Sequence, residues 1–232
     1  MDKYLAHISK DNREQTLEEH LQGTSKLCAK FAKAFDAEDQ GKLVGIMHDI
    51  GKFSDAFQHR LQGGPKVDHS TAGAIECVKM KQMAAALCIA CHHAGLPDMG
   101  SRMMLEGTSL CARINKANKG GVPEYDSWEK EITVPKANTP SFCRDSLTAA
   151  FYTRMLYSCL VDADYLDTET FMEGNERASI KGDFDSLSTR LDKYIAPWFP
   201  PKGELNRLRC EILSGCISQG EVTDSGLYTL TV

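Results

Sequence analysis

His20, the doublet His48-Asp49 followed by Lys52, His69, the doublet His92-His93 and the acidic pair Asp162 and Asp164 are the side chains of this 232-residue chain with the chemistry to hold metal. Five of its seven histidines fall in these contexts. Imidazole nitrogen and carboxylate oxygen suit Zn, Fe, Mn, Co and Ni, and a set this large exceeds the needs of one ion. Two adjacent ions sharing a bridging carboxylate would use all of it, and paired metal sites specialise in hydrolysing phosphate esters.

Helices have to position these groups. Thr16-Leu17-Glu18-Glu19 reads as a capping box, and Leu17, Leu21, Thr24, Leu27, Cys28, Phe31 and Phe35 follow at helical spacing with His20 on the same inward stripe. A second helix is expected from Asp39 through Ile50, with Gly51 as its C′ glycine and His48 and Asp49 in its last turn. Adjacent helical residues lie about 100° apart, so both can border one cavity. Phe53 to Leu61 is a short amphipathic stretch ended by Gly63-Gly64-Pro65. Asp68 or Ser70 can cap the following helix, with His69 at its entrance. Met83 to His93 reads as another helix stopped by Gly95 and Pro97.

From Gly100 to Pro140 the pattern weakens, and the stretch reads as an insertion with one short helix near Leu110 to Ala117. Ser141 to Asp167 reads as a long helix, apolar nearly all round and therefore buried on several sides. Aspartates at 162, 164 and 167 near the end of such a helix are costly unless they are paired, bind metal or reach solvent. Phe184, Leu187, Leu191 and Ile195 define a further amphipathic helix, and Glu204 to Cys216 another. Gly226 to Val232 is a β-rich run without a visible strand partner.

Composition narrows the class. A hydrophobic content of 42% is ample for a core, and the fold is expected to be all-α. The first residues contain no apolar signal region, and no segment approaches the ~18 apolar residues of a membrane span, so a cytoplasmic protein without membrane contact is expected. The nine cysteines, an odd number spread through apolar helical stretches, read as reduced core thiols. A net charge of −5 argues against non-specific capture of nucleic acid by the overall field. Arg102, Arg113, Lys116 and Lys119 form the best local basic strip, read as a solvated face of the insertion.

The motif His48-Asp49-x-Gly51-Lys52, with His20 upstream and an aspartate on a later helix, resembles the HD superfamily of metal-dependent phosphohydrolases. Within it, four runs are similar to the N-terminal nuclease domain of the type I CRISPR helicase-nuclease. They are His48-Asp49-Ile50-Gly51-Lys52-Phe53-Ser54, Asp68-His69-Ser70-Thr71-Ala72-Gly73-Ala74, His92-His93-Ala94-Gly95-Leu96 and the segment from Leu160 to Glu169. The resemblance covers residues 1–200 as a nuclease domain, with 201–232 as a linker helix and the first strand of a helicase domain that would follow. It implies a helical bundle around a dinuclear site in which His20, His48, Asp49 and Asp164 hold one ion and Asp49, His69, His92 and His93 the other. Asp49 would bridge, and Lys52 would neutralise a phosphate oxygen. The pattern Ala163-Asp164-Tyr165-Leu166 matches the closing aspartate of HD proteins and favours Asp164; Asp162, about 200° away on the helix, is left to orient a ligand histidine or to cap a neighbour.

The implied cofactors are two divalent transition-metal ions, Mn, Ni, Co, Fe or Zn. The implied partners are single-stranded DNA, the helicase domain and, through the full-length protein, the CRISPR surveillance complex. Rival readings are an HD phosphohydrolase acting on nucleotides or cyclic dinucleotides and a non-catalytic adaptor. Cys88-x-x-Cys91-His92 has the form of a haem attachment site, but haem attachment requires export, and two core thiols fit better. His7 and His59 are assigned no role. Tyr125, Trp128 and Phe142 are expected to anchor the insertion rather than to stack on bases.

Overall fold

The computed structural model describes residues 4–104, 106–175 and 182–222 and divides the chain into two compact units, Met1–Arg177 and Ala178–Val232. The first unit opens on an element that the helical patterning concealed. Strands β1 (Leu5–Ile8) and β2 (Glu14–Thr16) form an antiparallel hairpin, with Leu5 opposite Thr16, His7 opposite Gln15 and Ile8 opposite Glu14. These strands are too short to show a period of two.

Helix α1 (Leu17–Ala32) starts at the expected box: Thr16 Oγ1 accepts from the Glu19 amide and Glu19 Oε2 accepts from the Thr16 amide. It is followed by α2 (Glu38–Met47), α3 (Asp55–Leu61), α4 (Ser70–Lys79) and α5 (Met83–Ala90). The insertion contributes α6 (Leu110–Lys116) and a single turn, α7 (Trp128–Glu131), and the long α8 (Ser146–Glu173) comes after it. Helix α1 packs against α2 and α8, α4 against α5, and α5 against α8, around a core that includes Leu17, Leu21, Leu43, Met47, Ile89, Leu156 and Leu160. The all-α expectation holds apart from the hairpin.

Three helix ends differ from expectation, and all three carry site residues. Helix α2 stops at Met47; His48 is its C-cap and Asp49 leaves helical geometry at φ −120°, ψ 19°. A separate 3₁₀ turn, Ile50–Phe53, then takes Lys52 off the helix axis. Gly51 is not a left-handed C′ residue: a Cβ there would lie 2.2 Å from the His69 carbonyl oxygen, so the position is glycine for space. Helix α5 ends at Ala90, which puts His92 and His93 in the turn beyond it, held by Cys91 O accepting from the Ala94 and Gly95 amides. The N-cap of α4 is His69 itself, and the capping hydrogen bond comes from its neighbour, Asp68 Oδ1 accepting from the Thr71 amide.

Helix α8 is less enclosed than its composition suggests. Tyr152, Leu156, Cys159, Leu160 and Ala163 face the core, whereas Leu147 is 79% and Phe151 65% exposed. Apolar composition all round does not supply a partner for the outer face, and folded surfaces retain much apolar area. Its C-terminal end is tied to the hairpin by Arg13, which donates to the carbonyl oxygens of Phe171 and Met172. The insertion is anchored as expected by buried Trp128 and by Tyr125, whose hydroxyl donates to Glu76.

The second unit contains α9 (Phe184–Ile195), which the resemblance groups with residues 1–200, and α10 (Glu204–Val222). The strand expected at Gly226 to Val232 lies outside the described residues. Among the described residues no helix is long and apolar enough to cross a membrane.

Candidate metal centre

Five separate elements deliver one cluster. His20 comes from the core face of α1, His48 and Asp49 from the end of α2, His69 from the entrance of α4, His92 and His93 from the turn after α5, and Asp164 from α8. His20 and His48 are fully buried and Asp49 is 1% exposed. Two donor groups share that carboxylate, one made of His20, His48, Asp49 and Asp164 and the other of Asp49, His69, His92 and His93. Oδ2 of Asp49 lies 3.5 Å from His20 Nε2 and 3.3 Å from His48 Nε2, while Oδ1 lies 3.4 Å from the Nε2 atoms of both His69 and His92. Asp164 Oδ1 closes the first group at 3.4 Å from His20 Nε2 and 3.6 Å from His48 Nε2.

Ring orientation follows from the other imidazole nitrogen. His48 Nδ1 donates to Gly45 O at 2.7 Å, His92 Nδ1 to Ile89 O at 2.8 Å and His69 Nδ1 to Val67 O at 3.3 Å. His20 Nδ1 donates to Asp167 Oδ2 at 2.8 Å. Carbonyl and carboxylate oxygens only accept, so in each neutral ring Nδ1 carries the hydrogen and Nε2 turns a lone pair inward. The Nε2 atoms converge: His20 and His48 Nε2 are 3.2 Å apart, and His69 and His93 Nε2 are 2.9 Å apart. A cation or a proton must sit between such pairs.

The chemistry of the donors fits divalent metal. An ion about 2.1 Å from four nitrogen and oxygen ligands requires ligand separations of about 3.4 Å, close to those in the first group. Neither oxygen of Asp49 is satisfied by a hydrogen bond, although Lys52 Nζ stands 2.7 Å from Oδ2, and His92 Nε2 is also without a partner. Buried polar atoms left in this way are costly, and they point at the positions that a metal would occupy.

The electrostatics divide the two groups. Burial opposes a charge on His48, but Asp49 and Asp164 outweigh it and raise its pKa to about 10. His20 is raised as well, with Asp164, Asp167 and Asp49 overcoming its burial. Burial would push the carboxyls of Asp49 and Asp164 up, yet Lys52 and the neighbouring histidines hold Asp49 well below the usual carboxylate range, and His20 and His48 do the same for Asp164. In the second group burial dominates: His69 is lowered, and His93 falls to about 4 with His92 adding to the effect.

Near pH 7, therefore, the metal-free first group holds at least one proton that an ion must displace, whereas His69 and His93 are already neutral. Loading the first group is expected to release protons, and its affinity to weaken as pH falls, by up to about tenfold per pH unit for each proton displaced. Titration calorimetry in two buffers of different ionisation enthalpy checks this. Heats of loading that do not depend on the buffer would contradict it.

Asp162 takes neither role offered to it in the ligand shell. It is exposed on the far side of α8, as its angular offset from Asp164 requires. The carboxylate that orients the His20 ring is Asp167, one turn beyond Asp164, and Gln15 Nε2 donates to the same Oδ2 at 2.8 Å. The signal was present in the spacing of Asp164 and Asp167, since positions three apart share a helix face. Gly23 makes the approach possible: a Cβ there would lie 1.9 Å from Asp167 Oδ1. Asp167→Ala is expected to weaken binding to the first group by about 10- to 100-fold while leaving the second in place. Metal titration followed by the visible spectrum of Co(II) measures it, and Asp167→Glu tests whether a carboxylate rescues.

His7, assigned no role from sequence, also borders the cluster. Its ring packs edge-on to His20 at 4.8 Å, its Nε2 meets Thr168 Oγ1 at 3.3 Å, and burial, with Lys52 and His20 adding to it, lowers its pKa to about 3. His59, on α3, belongs to neither donor group. Lys52 is no exposed helix-end cation: it is 4% exposed, paired with Asp49 and 5.3 Å from the Phe57 ring centre. Cys88 and Cys91 are buried thiols, raised by burial and absent from both donor groups.

No curated protein matches the chain. Residues 17–121 match the family model described as HD domain, a stretch that runs from the start of α1 and includes every donor except Asp164. The match covers less than half of the chain, so over that stretch the chain is similar to HD domains, and the two histidine–aspartate groups that share one carboxylate could hold metal.

Proposed function

We propose that this chain hydrolyses phosphodiester bonds of single-stranded DNA as the nuclease part of a type I CRISPR interference helicase-nuclease. The observation that carries the reading is the division of Asp49, Oδ2 toward one donor group and Oδ1 toward the other. Together with the ordered motifs from His48 to Glu169, it favours a dinuclear phosphodiesterase. His20, His48, Asp49 and Asp164 would hold one divalent ion and Asp49, His69, His92 and His93 a second. Bound there, such ions supply a water of lowered pKa and stabilise the charge that develops on the phosphoryl oxygens.

The protein's own groups do the positioning. Gly45, Ile89, Val67 and Asp167 hold four imidazoles with Nε2 inward, so little reorganisation remains when substrate arrives. Lys52 adds a fixed positive charge beside Asp49, suited to a non-bridging phosphate oxygen. His93 is exposed and His69 partly so, which makes the second group the side from which a strand would enter. In the full-length protein a helicase domain would deliver that strand, with the CRISPR surveillance complex selecting the target.

Circular single-stranded DNA and a nucleotide panel, each with Mn, Ni or Co, separate the readings. The expected result is linearisation and degradation of the circle with little sequence preference. An intact circle beside a hydrolysed nucleotide or cyclic dinucleotide would replace the nuclease by a nucleotide phosphohydrolase, and failure to retain any transition metal would indicate an adaptor.

A further inference from the structure

Within the basic strip of the insertion Arg102, Lys116 and Lys119 are exposed, as a solvated face requires, and Arg113 is the exception. Arg113, on α6, has a side chain only 21% exposed and stands with Lys116, one turn later, in the wall of a surface pocket of about 220 Å³. Asp68, Gly107, Thr108 and Gly121 complete much of that wall. The acid in it is already engaged. Asp68 Oδ1 accepts from the Thr71 amide at 3.1 Å and Oδ2 from the Thr71 hydroxyl at 2.7 Å, as the cap of α4. Arg113 Nη1 reaches Oδ2 only at 3.9 Å, beyond hydrogen-bonding distance, and its Nε is enclosed without a partner. A guanidinium offers five N–H donors in a fork that matches phosphate, and here, beyond the long ion pair with Asp68, no hydrogen bond among the described residues uses them.

The position of the pocket gives this capacity a use. Asp68 lines it, and the next residue is His69, whose Nε2 belongs to the second donor group at 3.4 Å from Asp49 Oδ1. Consecutive residues of one loop thus border the pocket and the more exposed donor group. A strand that presents one phosphodiester to the donor groups carries another phosphate at every nucleotide, and that neighbouring charge needs a counter-charge close by. We infer that Arg113 and Lys116 form a phosphate subsite that holds a backbone phosphate of the strand adjacent to the one being cut. This rests on the nuclease reading. A nucleoside triphosphate could offer the same chemistry from its own phosphate chain, so the test includes one.

The test is the double substitution Arg113→Gln and Lys116→Gln in the full chain, assayed with Mn on three substrates: oligodeoxythymidylate, dTTP and bis(4-nitrophenyl) phosphate, a diester with no second phosphate. The expected result is a KM for the oligonucleotide raised tenfold or more with kcat little changed, and hydrolysis of the small diester within twofold, which also reports an intact fold. The slope of log Kd for the oligonucleotide against log salt should become shallower by about 0.7 for each phosphate that the variant no longer neutralises. If the unmodified protein cuts the strand and the double variant matches it in KM and salt slope, the subsite is wrong and the nuclease reading stands. If the unmodified protein hydrolyses the small diester but not the strand, the nuclease reading falls and the subsite with it. A loss confined to dTTP would overturn the assignment to a strand.

Discussion

Asp49→Ala is expected to lose both metal ions and to lower phosphodiester hydrolysis by at least about 10³-fold. No other single side chain among the described residues contributes to both donor groups. Its Oδ2 faces the Nε2 atoms of His20 and His48, its Oδ1 those of His69 and His92, and the pair of oxygens is fixed within a fully enclosed carboxylate. Removing it takes one anionic donor from each group at once and leaves the buried ammonium of Lys52, now 2.7 Å from Oδ2, as a bare positive charge where the ions would sit. His69→Ala, by contrast, should cost only the second ion. Elemental analysis after dialysis against trace metal, set beside the rate on a phosphodiester, measures both. An Asp49→Ala protein that retains one tightly held ion would mean that the groups do not share their carboxylate.

Gly51→Ala should act through the backbone with an effect nearly as large. Its Cβ would meet the His69 carbonyl oxygen at 2.2 Å and the His69 Cα at 2.8 Å, and neither atom can rotate away. The 3₁₀ turn carrying Lys52 and the entrance of α4 must then separate, at a cost of about 3 kcal/mol, the upper range for overpacking. For a domain of this size that lowers the midpoint of thermal unfolding by about 6–12 °C. Because His69 is the residue displaced, the second donor group should weaken while the first stays near its original affinity. Thermal unfolding without metal and a metal titration read the two effects. A midpoint within about 1 °C of the unmodified protein would show that the turn is not seated on His69 as described.

The donor residues were legible because their chemistry is carried by residue type and by short local motifs: His48-Asp49, the Asp68-His69 entrance and His92-His93 each mark a helix end. Their division into two sets around Asp49 came with the resemblance, and the structure brings the same side chains into two groups that could each hold an ion. What the chain did not show locally is the support. Asp167 reaches His20 through a gap left by Gly23 on another helix, and a glycine inside an apolar stripe reads from sequence only as a weak helix position. His7 lies on a four-residue strand whose pairing with Glu14–Thr16 has too few residues for a pattern. The helix ends at Met47 and Ala90 fall earlier than periodicity indicates, since apolar residues such as Ile50 and Cys91 remain buried after the helix has stopped. The outer face of α8 departs from expectation for the opposite reason: Leu147 and Phe151 are apolar without being enclosed.

If one carboxylate holds two ions in front of a phosphate, metal must appear at both of its oxygens. Anomalous diffraction from crystals soaked in Mn, collected near the metal edge, addresses it directly. Two peaks are predicted, one among His20, His48, Asp49 and Asp164 and the other among Asp49, His69, His92 and His93, on opposite oxygens of Asp49. A single peak at saturating metal, or two peaks that do not both touch Asp49, would mean that Asp49 does not bridge two ions.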